Sequence, residues 1–183
     1  MTTLHIDSSI NGENSASRAI SRSIVDRIGS AADESRLVYR DLVAEPLPHL
    51  TLDAFADSSV LDEFLGADTV VIGAPMYNFT LPSQLKSWLD RILVAGKTFR
   101  YTENGPEGLA GGKRVIVALA RGGMYDAGSP AASLEHLESY LRGIFNFIGI
   151  EPEFVAADGL NFGPEQRSAS INHALGETIQ LAA

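Results

Sequence analysis

The 183-residue chain contains no cysteine, which excludes disulfides, thiolate metal sites and cysteine nucleophiles. Redox chemistry, if present, needs a borrowed cofactor. Basic residues are scarce, 14 Lys and Arg against 23 Asp and Glu, and the net charge of −9 repels nucleic acid and anionic membrane surfaces. No run approaches the roughly 20 apolar residues of a membrane span, and the opening MTTLHIDSSI has no basic stretch leading into an apolar core. These absences lead us to expect a cytoplasmic protein with a small-molecule partner, no membrane and no nucleic acid. Common active-site signatures are missing too. No GxGxxG follows a strand, no GxSxG elbow is present, and Gly112-Lys113-Arg114 lacks the upstream glycine and the Ser or Thr of a P-loop. His5, His49, His136 and His173 lack ligand spacing, so no metal is expected.

What is present suits one domain over residues 1–183, because 45% hydrophobic residues can fill a continuous core. Apolar residues alternate between strand and helix patterns. Strands are expected at Leu4 to Asp7, Arg36 to Asp41, Thr69 to Ala74, Val115 to Ala120 and near Phe154. Helices are expected at Ser17 to Ile28, around Val60 to Leu65, from Pro82 towards Gly96 through Leu85, Trp88, Leu89 and Ile92, at Leu134 to Ile148, and from Gln166 to Leu181. Five strand-helix units predict an α/β sandwich of three layers, a five-stranded parallel sheet covered by helices on both faces.

In a doubly wound sheet of order 2-1-3-4-5 the first, third and fourth strands are neighbours, and ligands bind beyond their carboxyl ends. The loops there are unusual. After the first strand, Ser8 to Ser17 offers hydroxyls and amides just ahead of a helix, where the helix dipole favours an anion; the plain alternative is a helix cap through Ser15 or Ser17. After the third, Pro75-Met76-Tyr77-Asn78-Phe79-Thr80-Leu81-Pro82 places Met and two aromatics where small polar connectors are ordinary, as suits a flat apolar ligand. After the fourth, Ala120-Arg121-Gly122-Gly123-Met124-Tyr125 has paired glycines that allow close main-chain approach, or form a simple turn.

Together these segments resemble the FMN-dependent NADH-azoreductase and NADH:quinone oxidoreductase family. The resemblance lies in PMYNF at Pro75 to Phe79, QLKSWLDR at Gln84 to Arg91, GKTFRYTENGPEGL at Gly96 to Leu109 and RGG at Arg121 to Gly123. It implies a flavodoxin-like fold and one FMN per subunit. By similarity Ser9, Ser15, Ala16 and Ser17 would hold the flavin phosphate, Met76, Tyr77, Asn78 and Phe79 would line the ring and ribityl chain, and Ala120, Arg121, Gly122 and Gly123 would border the ring's polar edge. Phe79, Tyr101, Tyr125 and Phe147 would wall the substrate pocket of a homodimer. No catalytic side chain is implied, since hydride passes between NADH, flavin and a quinone or azo compound in a ping-pong cycle.

Two departures stand out. Family members often carry Ser immediately before Arg-Gly-Gly where this chain has Ala120, and the connection before the third strand is shorter than in many relatives. Without the resemblance, Phe145 and Phe147 read as helix residues facing the core, and Tyr101 as part of a hairpin turned by Asn104-Gly105. A flavodoxin-type electron carrier and a flavin-free interaction module of the same fold are the competing functions.

Overall fold

A computed structural model describes residues 1–30 and 36–182. Its main sheet contains β1 (Thr2–Asp7), β2 (Arg36–Asp41), β3 (Thr69–Pro75), β6 (Arg114–Ala120) and β7 (Glu153–Ala157), all parallel, in the order β2-β1-β3-β6-β7. This is the expected 2-1-3-4-5 arrangement, with a small antiparallel hairpin, β4 (Phe99–Thr102) and β5 (Gly105–Gly108), inserted before the fourth strand of the sheet.

The strand sequences explain the layering. Successive side chains leave a strand on opposite faces, so Val115, Val117 and Leu119 of β6 join one core while Ile116 and Ala118 join the other. The first core also takes Leu4, Ile6, Val70 and Ile72 from the sheet, and it is covered by α2 (Ser59–Gly66), α3 (Ser83–Ile92) and α4 (Glu138–Phe147). Val60, Phe64, Leu85, Trp88, Leu89, Leu141 and Phe145 are their buried contributions. The second core lies under α1 (Ala16–Ser30) and α5 (Pro164–Glu177), where Ile20, Ile24 and Ile28 recur every fourth residue and so form one stripe. Every residue of β3 is buried, as a strand covered on both faces requires.

Several helix boundaries differ from expectation, and α3 already ends at Ile92 instead of running on towards Gly96. The helix expected from Leu134 begins at Glu138, after a 3₁₀ turn at Ala132–Leu134. Glu135 sets this start, because its carboxylate accepts the amides of Leu137, Glu138 and Ser139 at 2.7–3.0 Å, donors that an early helix leaves unpaired. The last helix begins two residues earlier than expected, with Pro164 in its first turn, and ends at Glu177.

The hairpin is docked at its base. A Cβ on Gly108 would lie 2.1 Å from the amide nitrogen of Gly149, so only glycine lets β5 lie directly on the backbone that ends α4. Phe99 stacks on Phe147 with ring centroids 4.6 Å apart, while Tyr101, further along, is 75% exposed. Among the described residues no helix is long and apolar enough to cross a membrane.

Candidate functional site

β1 has β2 on one side and β3 on the other, so the order in which strands are added across the sheet reverses at it, and the cleft outside such strand ends is where this fold class places ligands. The first wall is built on a buried polar network. Asp7, at the end of β1, accepts hydrogen bonds from Ser21 at 3.0 Å and Tyr39 at 3.1 Å, and lies 3.6 Å from His5 and 3.7 Å from Arg18. Burial opposes its ionisation, but hydrogen bonding and charge from His5, helped by Ser21 and Arg18, hold its carboxyl below the usual value. The same burial, with the negative charge of Asp7 beside it, pushes the Tyr39 phenol up to about 12. Arg18 forks onto Asp41 at 2.7 and 2.8 Å and also donates to the Ser9 carbonyl at 2.8 Å. That pair depresses the Asp41 carboxyl. The network ties the start of the first loop to the ends of β1 and β2.

The loop itself passes through a 3₁₀ turn, Gly12–Asn14, into α1. Ser15 accepts the Arg18 amide at 3.3 Å, and the Ser15 and Ser17 hydroxyls share a 3.1 Å bond. The plain capping role and an anion cradle therefore coexist. Ser15 satisfies one first-turn amide, while those of Ala16 and Ser17 meet no acceptor among the described residues.

The second loop is a strained tight turn. Tyr77 and Thr80 exchange both backbone hydrogen bonds, 2.9 and 3.1 Å, around Asn78 at φ 48° and Phe79 at φ 72°. Two consecutive positive φ values are the pattern of a type I′ turn, ordinary for Asn or Gly and unfavourable for Phe. The turn is pinned from outside by the His136 amide on the Phe79 carbonyl and by Thr80 on the His136 carbonyl. Tyr77 links this loop to the first: its phenolic oxygen accepts the Ile10 amide at 3.1 Å and lies 3.3 Å from the Ser9 hydroxyl. Phe79 stays 44% exposed, with its ring edge-on to half-buried Tyr125 at 6.4 Å.

The third loop leans on the segment after β7. The amides of Gly159, Leu160 and Asn161 donate to the carbonyls of Gly123, Arg121 and Gly122. A Cβ on Gly122 would fall 2.3 Å from the Asn161 side-chain nitrogen, so a larger residue there would displace the Asn161 amide from its place over the loop. Arg121, expected beside the ligand, is instead buried and turned inward. Its guanidinium pairs with Asp158 at 2.6 and 2.9 Å and lies 3.4 Å from Glu138 and 3.8 Å from Glu135. Burial works against its charge, yet Asp158 and the two glutamates more than offset this and raise its pKa. Three carboxylates on one side account for the orientation.

The three loops enclose one cleft. Of the residues singled out in the sequence, Ser9, Ser15, Ala16, Met76, Tyr77, Ala120 and Gly122 line it. Ser17 is fully buried beside Ser15, Asn78 and Phe79 stand exposed at the turn, and Gly123 packs against the Tyr125 ring. Within one chain Tyr101 and Phe147 are not among the lining residues: Phe147 is held against Phe99 under the hairpin, and Phe145 faces the core as its helical spacing suggests. The sequence reading missed Leu160, Asn161 and Arg167, which complete the cleft from the β7–α5 side. The one signal for them was the turn-rich Asp158-Gly159-Leu160-Asn161-Phe162-Gly163 ahead of Pro164.

A cradle of free amides and hydroxyls next to a strained apolar turn fits a ligand with an anionic tail and a flat head. Comparison with known proteins agrees. A sequence model described as flavodoxin-like fold matches residues 1–181. The FMN-dependent NADH:quinone oxidoreductase 2 of Bradyrhizobium diazoefficiens is 54% identical over 201 aligned positions, with all of both chains covered. The solved structure of azoreductase AzrA superposes with a TM-score of 0.90 at 29% identity, covering 100% of this chain and 99% of that one. An FMN-dependent NADH-azoreductase from Bacillus anthracis, solved in complex with FMN, gives 0.85 at 25% identity over the whole of both chains. On its strand order, its loops and this full-length similarity, the chain belongs to the flavodoxin-like family of FMN-dependent NADH:quinone oxidoreductases and azoreductases.

Proposed function

We propose that this protein binds one FMN per subunit in the cleft and uses it to reduce quinones and aromatic azo compounds with NADH in a ping-pong cycle. The observation that carries the reading is the cradle of Ser9 and Ser15, with Ser17 bonded behind Ser15 and the Ala16 and Ser17 amides free, set beside the Met76 to Phe79 turn on a neighbouring strand end. Bound FMN would supply the two-electron redox chemistry between NADH and the acceptor, and the chain's own residues would bind, orient and shield it. The hydroxyls and amides at the start of α1 hold the phosphate, where the helix dipole favours its charge. Met76 and Tyr77 would pack along the flavin, and the exposed backbone of the Asn78 and Phe79 turn would be available to its ring. Ala120, Gly122 and Gly123 contribute backbone, and Arg121 contributes by holding that backbone to Asp158. Phe79 and Tyr125 offer an apolar edge-to-face wall to a planar acceptor. In a homodimer the exposed Tyr101, on a hairpin braced by Phe99 and Phe147, would wall the acceptor site of the partner.

The test is purification with FMN, followed by NADH oxidation with a quinone and with an azo dye. The expected result is parallel initial-rate lines for both acceptors. Bound flavin with no turnover of either would overturn the reductase reading, and accumulation of a neutral semiquinone would favour an electron carrier instead.

A further inference from the structure

The phosphate cradle contains no lysine, yet a phosphate monoester near neutral pH carries about −1.5 to −2 charges. Two guanidiniums approach this loop, and their surroundings differ. Arg18 is committed to the protein, forked onto Asp41, 3.7 Å from Asp7 and bonded to the Ser9 carbonyl. Arg167 arrives from the other side of the cleft, on the first turn of α5, where its own amide is bonded to the Gly163 carbonyl. It is half-buried, lines the cleft with Ser15 and Ala16, and donates from Nη2 to the Asn14 carbonyl at 2.6 Å. Among the described residues no carboxylate lies within ion-pair distance of it. A cation beside free amides and hydroxyls, without a carboxylate of its own, is placed to receive an anion. Its reach onto Asn14 holds it over the loop rather than out in solvent.

We propose that Arg167 is the counter-charge for the flavin phosphate and the residue by which this chain distinguishes FMN from riboflavin. The inference rests on the flavin reading above and adds a residue that the three strand-end loops do not contain. A guanidinium can give two parallel donors to phosphate oxygens, so part of the affinity for FMN should come from one side chain that riboflavin cannot use.

The full chain, freed of flavin, is titrated with FMN and with riboflavin, following flavin fluorescence, for the wild type and for Arg167→Met, Arg167→Gln and Arg167→Lys. Loss of a charge-assisted bond should weaken FMN roughly 10- to 100-fold in the Met and Gln variants. Riboflavin affinity should stay unchanged, Lys should recover most of the loss, and the salt dependence of FMN binding should be shallower in Gln than in the wild type. Equal losses for both flavins, or no loss in Met, would overturn the assignment. So would full FMN affinity in Gln, which keeps a donor for the Asn14 carbonyl but no charge. A wild type that binds neither flavin would instead overturn the flavin reading itself.

Discussion

The two ends of the cleft are built by opposite means. At the phosphate end, Asp7, Arg18, Tyr39 and Asp41 are locked by short hydrogen bonds and ion pairs, and the loop above them is nearly finished by the chain itself. At the ring end, Phe79 and Met124 are exposed, the turn carrying Phe79 is strained, and the polar support comes from backbone bonds and neutral hydroxyls, Thr80 and Tyr77, without an ion pair on the turn among the described residues. Charge has to be pre-organised before binding, because a loose phosphate site would spend its interactions on ordering itself. An apolar face that accepts two different planar partners in turn gains from staying open.

The comparison breaks most visibly if the network is cut. Arg18→Met leaves Asp7 and Asp41 without their cation in a largely buried setting, and should cost on the order of 3 kcal/mol in urea unfolding, with FMN retention lost in parallel. A cost below about 1 kcal/mol would mean that the loop is held by something else.

Acid tests the same end. Asp7 and Asp41 have folded-state pKa values below their ordinary ones, so the unfolded chain binds more protons at low pH. Their contribution is complete above the unfolded values, about 4, and disappears as pH falls through the lower folded values. Thermal stability should therefore be flat from neutrality to about pH 5 and fall below about pH 4, with a smaller fall in Asp41→Asn. An unchanged melting temperature at pH 3 would contradict the ionic account of this wall.

The ring end should respond in the other sense. Phe79→Gly removes a bulky residue from φ 72° and should stabilise the fold by about 1 kcal/mol while lowering turnover with planar acceptors. Loss of both stability and activity would show that the Phe79 ring contributes more to packing than its exposure suggests. The smallest effect on folding is expected for Tyr101→Ser on the hairpin, within about 0.5 kcal/mol, because the side chain is exposed. Sedimentation and acceptor KM should nevertheless change if Tyr101 reaches a partner's site.

Much of this was legible before folding. Apolar runs located the sheet strands, and Pro82 marked the start of α3, since backbone sterics are local, whereas α3 stops at Ile92, short of the expected Gly96. The three loops were identified from their place at strand ends and from PMYNF. Arg121 was less legible, because Asp158, Glu135 and Glu138 come from two other segments and nothing local in Arg-Gly-Gly announces them. Gly122 was recognised as needing close approach, but the approaching group is Asn161, 39 positions away in the chain order given by their numbers. Glu135 as the starter of α4 was missed for a simpler reason: the apolar period runs on through Leu134, while capping depends on where one carboxylate folds.

By itself the sequence determined the alternation of strands and helices and hence the layers, because propensity and periodicity follow from neighbouring residues and general packing rules, while the strand order came from the family resemblance. Only the tertiary structure decided which charges the strand-end loops keep free. Arg18 and Arg121 are absorbed by carboxylates brought in from distant strands and loops, whereas Arg167 is carried by α5 to the open side of the cleft. Electrostatic pairing depends on distance through space, and that is information a linear order of residues does not contain.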